Sequence, residues 1–538
     1  MKNNIKISLS LALLFIAVFI ISSCDKDLTK LTGPLTSIKD VKAYLESRHK
    51  SGSTPDNTLL LPIALEGGLG IMTDEDSPWR QILQMINNKG LYVNLDLSLC
   101  EMEANGIFDT FNVSKSGENY IVSLVLPNAA VKIQSKYSNS SPFKNYLLLK
   151  HISGENIISI SGNTFTGMEN LISASFPSAE FIGSNAFAGC KSFVSVNIPK
   201  AVTIETQAFC RTKITEANFP QAEIIGNEAF YECQSLKKAD LKNARYIGDY
   251  AFFNCISLSS LDLPQAVNIG NRAFLRCVIL KEISFPAYAK IGEKLFFNCG
   301  FLSVFNLYDE GDLSVIEDGK ALIRNNNDEI ELLVYPCAEG EIEIKEITKI
   351  ESNAFAGART LVSVSFPLVS AMGEDVFSWC YNLESVNFPL LKKINHSAFY
   401  DIENLKIANF PSALTIEEQA FKNCVNLNAL NIPSVQYIES EAFAVDSGVS
   451  SDSPLNITFG DDAPNLGTNI FFGAQRIIHV LVPQGANGYG KVPASYEGDN
   501  NEQNWGNGLR GKGWDGHTGG YNVGAVNSGI VVNIMFID

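Results

Sequence analysis

The sequence predicts a repeat solenoid that is poor in α-helix, in which short parallel β-strands stack turn upon turn. The first observation is a regular spacing, because six phenylalanines follow one another at intervals of 22, 21, 22, 22 and 22 residues. The second is a recurring phrase, in which an apolar residue precedes an Ala-Phe pair and a cysteine and a short apolar strand follow it. A fixed period of roughly 20–50 residues is typical of solenoids, since one repeat cannot bury its own apolar face. The marker phenylalanines are Phe187, Phe209, Phe230, Phe252, Phe274 and Phe296.

Composition and charge exclude one class of function. The 538 residues are 46% hydrophobic, and 58 acidic residues against 41 basic residues give a formal net charge of −17. A chain of this size can bury a large core. A protein that binds a phosphate backbone needs a basic surface, so we expect no nucleic-acid partner. The charge balance is typical of a well-solvated, exported protein.

The amino terminus predicts export. Lys2 and Lys6 flank the start of an apolar run over residues 7–21, a pattern typical of a secretory signal over residues 1–23. The run ends at Ser-Ser-Cys24, which resembles the lipobox of bacterial lipoproteins, with Cys24 as the lipidated residue. The alternative is an ordinary signal peptide with an incidental cysteine.

The residues after Cys24 are Asp-Lys-Asp, and they resemble the acidic tether of surface-exported lipoproteins of the Bacteroidetes. The resemblance implies an outer-membrane lipoprotein, exposed at the cell surface and held to the membrane by its lipid anchor alone. Acyl chains anchor by burying apolar CH₂ groups, which contribute about 0.8 kcal/mol each.

The remaining chain divides into six expected segments. Within the second, Ser77 and Pro78 predict the start of a helix over Pro78–Asn88, which would cap the open end of the solenoid. A separate small domain is the alternative for that segment. The segments are a tether over 24–57 with a short helix at Val41–Glu46, an N-terminal cap with divergent first repeats over 58–150, regular repeats over 151–301, a β-hairpin insert over 302–349, regular repeats over 350–483 and a Gly/Trp-rich C-terminal cap over 484–538.

Seven of the 11 cysteines stand three residues after a marker phenylalanine or its equivalent in the later array. Thr212, Ala358 and Ile402 occupy the same position in other repeats, so it accepts small or apolar side chains. Such a position favours free, buried thiols, although disulfides between neighbouring turns remain an alternative. The chain contains no CxxC pair for zinc. It also lacks the GxSxG and HExxH motifs, so we expect no cofactor and no enzymatic activity.

One strand illustrates which side chains of a repeat are expected to face the core and which are expected to face outward. In residues 193–198, Phe193, Val196 and Ile198 follow an L-x-x-L-x-L pattern and are expected to face the core. Ser195 and Asn197 alternate with them and are expected to face outward, on the concave sheet of the solenoid.

The consensus IGxxAFxxCxxLxxVxxP resembles the BspA-type leucine-rich repeats of bacterial surface proteins over residues 91–483. The resemblance implies a right-handed leucine-rich repeat superhelix with a parallel β-sheet on its concave face. It also implies a non-enzymatic, surface-anchored interaction protein, since relatives are adhesins or bind host and matrix proteins. Lys242, in place of the usual strand-ending proline, departs from the pattern.

Outward strand positions are the candidate partner-binding residues, and no site is expected to hold a metal. The later repeats carry asparagine at one such position, which predicts either a hydrogen-bonded ladder or a ligand site. The candidates for binding a protein partner are Glu216, Asn218, Lys238, Asp240, Asp262 and Glu282.

The C-terminal tail supports an alternative function. Trp505, Trp514 and Tyr521 lie among many glycines and asparagines, before a final alternating strand over Ile530–Ile537. The tail is interpreted either as an irregular cap sealed by that strand or as an aromatic platform for a glycan. In the second case the protein is a glycan-binding outer-membrane accessory lipoprotein. The sequence does not indicate an oligomeric state.

Overall fold

A computed structural model provides the fold. It describes residues 33–50, 53–102, 106–110, 117–135, 141–326, 329–446, 454–462, 464–466, 470–471, 477–484, 486, 521–523 and 531–537. Within these residues the chain forms a solenoid of short parallel strands with very little helix, as the period predicts. The solenoid is right-handed, as the resemblance to leucine-rich repeats implies. Contacts divide it into two compact units, residues 1–266 and residues 267–538.

Each turn contributes one strand to a series of parallel strands that we call the major sheet, and hydrogen bonding divides this series among sheets of six, two, three and nine strands. Its middle residues face the core and its flanking residues face outward. In the first unit these strands are Leu59–Pro62, Val93–Asp96, Ile121–Val125, His151–Ser153, Ser173–Ser175, Ser195–Asn197, Glu216–Asn218, Lys238–Asp240 and Ser260–Asp262. In the second unit they are Glu282–Pro286, Val304–Tyr308, Glu339–Glu343, Thr360–Ser365, Ser385–Asn387, Ile407–Asn409, Ala429–Asn431, Leu455–Thr458, Ile477–Pro483 and Val531–Ile537.

A second, two-residue strand in most turns forms the minor sheet. Its second residue is usually buried, and the isoleucines there fill the core from the wall opposite the major sheet. In the first unit the minor strands are Ile107–Phe108, Lys132–Ile133, Ser159–Ile160, Phe181–Ile182, Thr203–Ile204, Ile224–Ile225 and Tyr246–Ile247. In the second they are Asn268–Ile269, Lys290–Ile291, Lys349–Ile350, Ala371–Met372, Lys393–Ile394, Thr415–Ile416, Tyr437–Ile438 and Asn465–Leu466.

Helices occur only at the N-terminal end of the described residues. The predicted capping helix runs over Pro78–Lys89, with the Ser77 side chain accepting a hydrogen bond from the backbone N–H of Arg80 at the N-cap. Trp79, Ile82, Leu83 and Ile86 are buried on one face, as their spacing predicts. A 3₁₀ turn, Glu118–Tyr120, packs against this helix.

The prediction of a tether over residues 24–57 is wrong for the described part of that segment. Residues Ile38–Glu46 form a second helix, capped by Ser37, that packs against the helix Pro78–Lys89. Val41 and Leu45 lie one helical turn apart, and both are buried, so the helix has an apolar face to dock. This segment therefore belongs to the N-terminal cap.

The insert forms an antiparallel hairpin meander with the strands Leu313–Ile316, Ala321–Asn326 and Glu329–Val334. This antiparallel part is shorter than the expected segment 302–349, because Val304–Tyr308 and Glu339–Glu343 pair in parallel with neighbouring major strands. The segment also contains a hidden turn. The backbone N–H of Tyr335 donates to Ala354, and its ring packs 5.8 Å from that of Phe355, so Tyr335 takes the place of a marker phenylalanine.

The marker phenylalanines form stacks along the core of each unit. In the first unit, consecutive rings from Phe165 to Phe252 have centroids 5.0–5.5 Å apart. In the second unit, consecutive rings from Phe355 to Phe443 lie 5.1–5.4 Å apart. Offset aromatic pairs of this kind contribute about 0.5–1.5 kcal/mol each beyond the burial of their area. The phenylalanine column is therefore structural.

The cysteines of the described residues are free, as predicted, and most are buried. In six turns the thiol donates to the backbone carbonyl of the marker phenylalanine one turn earlier, for example from Cys190 Sγ to Phe165 O at 2.9 Å. Burial raises the pKa of Cys190 to about 12, so the thiol stays protonated and able to donate.

A third set of inter-turn hydrogen bonds, the side ladder, runs through the marker residues. In the first unit the N–H groups of three alternate residues per turn donate to carbonyls of the next turn, as in Asn185 to Thr206, Phe187 to Ala208 and Gly189 to Cys210. The donors two residues before and two residues after the phenylalanine have positive φ. Gly167 and Gly189 adopt this left-handed conformation without the penalty that other residues incur there.

The C-terminal strand prediction is confirmed. The strand Val531–Ile537 pairs in parallel with Ile477–Pro483. Its other edge pairs in antiparallel fashion with Tyr521–Val523. The last strand thus extends the major sheet of the second unit.

Candidate interaction surface

Of the candidate residues on the major sheet, Asp240 is half-buried and the others are exposed, namely Glu216, Asn218, Lys238, Asp262 and Glu282. In the strand Glu216–Asn218, both end residues are exposed and Ala217 between them is buried. In the strand Ser260–Asp262, Asp262 is likewise exposed. The backbone pleat therefore places the candidate side chains on one face.

Register places opposite charges side by side. Glu216 pairs with Lys238 and Asn218 pairs with Asp240 in the parallel ladder. Neighbouring strands lie about 4.8 Å apart, so these side chains form two columns along the sheet.

Only one of the two carboxylate oxygens of Asp240 has a polar partner among the described residues. Its Oδ2 lies 3.5 Å from Lys242 Nζ, and its Oδ1 is buried with no hydrogen-bond partner among the described residues. Lys242 stands where other repeats have a proline, so this departure from the repeat pattern supplies a cation beside the acid. A buried acceptor without a partner is destabilising. We call Glu216, Lys238, Asp240 and Asp262 the charged patch, which carries three carboxylates and one ammonium group.

The sixth candidate, Glu282, belongs to the second unit. It is exposed at the start of the strand Glu282–Pro286, and its Oε1 accepts a hydrogen bond from Asn306 Nδ2 at 2.7 Å. This bond orders the carboxylate but leaves its other oxygen outside the pair.

The asparagine column of the second unit is a hydrogen-bonded ladder. Asn387 donates to Ser365 at 3.0 Å, Asn409 donates to Asn387 at 2.6 Å, and Asn431 donates to Asn409 at 2.7 Å. The first of the two interpretations of this column is thus confirmed. Each of these amides is already paired with its neighbour, which makes the column a structural feature of the sheet.

His151 is the first residue of the major strand His151–Ser153, in the first unit. Its Nδ1 lies 2.8 Å from Ser173 Oγ in the next strand. Burial, together with the nearby positive charge of Lys150, lowers the pKa of His151 to about 4. The imidazole is therefore neutral at physiological pH.

Sequence reasoning missed a cleft on the side of the first unit, along the side ladder. Its volume is about 710 Å³. It forms because Gly167 and Gly189 have no side chain where the next turn carries Arg211. A glycine two residues after the marker phenylalanine in two successive repeats is the sequence signal for it. The lining residues are Thr166, Gly167, Asn185, Ala188, Gly189, Gln207, Cys210, Arg211, Glu228, Tyr231 and Tyr250.

Three predicted residues lie outside the described residues, namely Cys24, Trp505 and Trp514. Among the residues that the structure does describe, no group of three or more His, Cys, Asp or Glu side chains could hold a metal ion. In the same part of the chain, no helix has the length and apolar character needed to cross a bilayer.

The turns, the strand pattern and the outward polar columns together define a leucine-rich repeat protein. The family model described as "BspA type Leucine rich repeat region" matches in six copies, over residues 136–241, 202–318 and 335–450. The chain belongs to this family, as its consensus predicts.

The comparison with solved structures finds bacterial leucine-rich repeat proteins among its matches. A leucine-rich repeat protein from Bacteroides ovatus is 20% identical, with a TM-score of 0.48, covering 68% of this chain and 88% of its own. A leucine-rich cell surface protein from Faecalibacterium prausnitzii is 23% identical, with a TM-score of 0.44, covering 54% of this chain and 83% of its own. The pneumococcal vaccine antigen PcpA is 17% identical, with a TM-score of 0.35, covering 67% of this chain and 86% of its own. A comparison with curated proteins found no match.

Proposed function

We propose that this protein is a non-enzymatic interaction protein that binds a protein partner through the charged patch of the major sheet. The single observation that carries the proposal is the patch itself. In the later strands Ser385–Asn387, Ile407–Asn409 and Ala429–Asn431, one outward column holds asparagines that bond to one another, such as Asn409 with Asn387. In the patch, charged side chains stand in both outward columns, Glu216 and Lys238 in one and Asp240 and Asp262 in the other.

The charge of the patch predicts the chemistry of the partner. The three carboxylates outnumber the two nearby cations, Lys238 and Lys242, by one negative charge on this part of the sheet. Complementary charge steers association and adds specificity, so a partner with a basic surface patch fits best. Binding through exposed charges weakens as salt rises, because the Debye length falls from about 10 Å at 0.1 M to about 3 Å at 1 M.

Surface exposure through a lipid on Cys24 belongs to the same proposal. The apolar run that ends at Cys24 supports lipidation, and the BspA-type repeats, which resemble those of bacterial surface proteins, support display outside the cell. Mass spectrometry of the mature N-terminus tests for a lipidated Cys24. Protease treatment of intact cells tests sidedness, because a periplasmic protein would survive digestion.

Charge reversal tests the patch. Purified full-length protein and its Asp262→Lys variant are compared by pull-down from host-matrix proteins, with Lys238→Glu as the opposite reversal. We expect Asp262→Lys to weaken binding of a basic partner at least about tenfold, a difference of about 1.4 kcal/mol. Glu223→Lys is the matched control, since Glu223 is exposed beside the minor strand Ile224–Ile225. Equal loss in the control and the patch variant would rule out the charged patch.

A further inference from the structure

The side cleft of the first unit has the form of a ligand site. An ideal Cβ at Gly167 would meet nothing within 4 Å, and one at Gly189 would meet only backbone atoms of Gly167 at 3.8 Å and 3.9 Å. The open volume above these two turns is bounded by Arg211, Tyr231 and Tyr250 of later turns. Its size, about 710 Å³, falls within the range of roughly 300–1,000 Å³ that small-molecule sites occupy.

The backbone of the cleft leaves a peptide little to pair with. The N–H groups of Gly167 and Gly189 donate to the carbonyls of Ala188 and Cys210 at 2.8 Å each. Recognition of an extended peptide by strand addition needs a row of unpaired N–H and C=O groups. The side ladder uses these groups to join the turns, so a ligand must be held by side chains.

The charges of the cleft are compensated internally. Arg211 Nε lies 2.8 Å from Glu232 Oε2, and the guanidinium carbon lies 5.8 Å from the centre of the Tyr231 ring. Gln207 Nε2 donates to Glu228 Oε2 at 2.7 Å. An anion would compete with Glu232 for the guanidinium, so the cleft favours a ligand without net charge.

The polar groups that remain are planar amides and a hydroxyl. Asn185 contributes its carboxamide, and Gln207 contributes its Oε1 and the second N–H of Nε2, since the first N–H is bonded to Glu228. Thr166 contributes a hydroxyl oxygen, whose proton is donated to the backbone carbonyl of Asn185 at 2.6 Å. Tyr250 contributes an aromatic ring at the far wall. Burial raises the pKa of Cys210 to about 11, which keeps the thiol protonated, so the cleft offers no thiolate nucleophile at neutral pH.

We propose that this cleft binds a neutral saccharide unit of a glycan. A sugar hydroxyl can both donate and accept a hydrogen bond. It can therefore use the donor and acceptor positions that the amide, carboxylate and guanidinium groups of the cleft keep after pairing with one another. The C–H faces of a sugar ring are apolar, which suits the ring of Tyr250. The Tyr231 ring is already stacked on Phe253, with Arg211 over it, so it shapes the wall of the cleft. The site lies on a different side of the turn from the charged patch and does not depend on it.

The test uses purified full-length protein on an array of neutral, sialylated and sulfated glycans, followed by titration with the neutral oligosaccharide that gives the strongest signal. We expect saturable binding of a neutral glycan that changes little between low and high salt. Gly189→Asn fills the cleft, and Asn occupies the equivalent position in other turns, as at Asn254 and Asn423, with positive φ. Tyr250→Ala removes the aromatic wall. Each variant should weaken binding at least about tenfold.

Tyr246→Ala is the matched control, because Tyr246 is an exposed tyrosine of the neighbouring minor strand that does not line the cleft. Thermal melting of each variant checks that the solenoid is intact. The proposal is overturned if no neutral glycan binds, if only anionic glycans or peptides bind, or if folded Gly189→Asn and Tyr250→Ala proteins retain full affinity. A glycan bound with the cleft variants unaffected would place the site elsewhere in the chain.

Discussion

The thiol of Cys233 donates to the backbone carbonyl of Phe209, one turn earlier, with 3.0 Å between Sγ and O. The bond joins the two residues that recur most clearly in the sequence. It explains why the third position after each marker phenylalanine favours cysteine, a small side chain with a weak donor. The same carbonyl also accepts from the hydroxyl and the backbone N–H of Thr212, at 2.9 Å and 3.2 Å.

Replacement of this thiol should cost a modest amount of stability. We expect Cys233→Ala to lower the free energy of unfolding by about 1–2 kcal/mol, because it removes the S–H donor and leaves a small void. Urea unfolding followed by circular dichroism measures the change. Cys337→Ala is the control, since Cys337 is only partly buried. An equal effect of the two substitutions would contradict a specific role for the cysteine column.

Removal of a marker ring should have a larger effect. The ring of Phe399 lies 5.2 Å from Phe377 and 5.1 Å from Phe421. We expect Phe399→Ala to cost about 3–5 kcal/mol, since it removes a buried ring and opens a cavity in a continuous stack. Phe301→Ala, at a ring that is 63% exposed, should change stability by less than about 0.5 kcal/mol. Thermal denaturation of both variants distinguishes the two rings.

The amide ladder should contribute measurably although it lies on the surface. Asn409 donates to Asn387 and accepts from Asn431, so Asn409→Ala leaves an acceptor and a donor unpaired. We expect a loss of about 1 kcal/mol in the free energy of unfolding. The control is Asn218→Ala, because no side-chain hydrogen bond of Asn218 is found within the described residues. If both variants match the parent protein, the ladder does not stabilise the sheet.

Acid should destabilise the fold partly through His151. Its pKa is lowered to about 4 in the folded protein, whereas an unfolded histidine titrates near 6.5. Between these values the unfolded chain binds more protons, so the contribution of His151 to stability is present above pH 6.5 and is lost as the pH falls toward 4. The melting temperature of the parent should therefore fall more between pH 7 and pH 5 than that of His151→Gln. Parallel pH profiles for the two proteins would refute this assignment.

The fold was predictable because it depends on periodicity. The spacing of the marker phenylalanines fixes the length of each turn, and local rules place the helix at Pro78. The hidden turn in the insert escaped detection, because Tyr335 replaces the phenylalanine and Ala338 the cysteine. A pattern search follows residue types, whereas packing needs only a ring and a small side chain.

Other features depend on positions that the period does not label. The helix Ile38–Glu46 has only two buried apolar residues, Val41 and Leu45, so its docking depends on the neighbouring helix Pro78–Lys89. The side cleft exists because Gly167 and Gly189 have no side chain, whereas the equivalent position in the next turn carries Arg211. The charged patch, in contrast, follows directly from strand alternation, and its members lie on the predicted face.

The side ladder gives each turn of the first unit a direction. From Asn163 onward its donors all face the following turn, so the peptide dipoles add instead of cancelling as they do between ordinary strands. The leading end of such a stack presents carbonyl oxygens, and there the hydroxyl of Ser141 donates to the carbonyl of Thr164. The two ends are chemically different, so each needs its own kind of cap. A duplicated repeat inserted between them keeps the same polarity, which lets the number of turns change in evolution while the caps remain as they are.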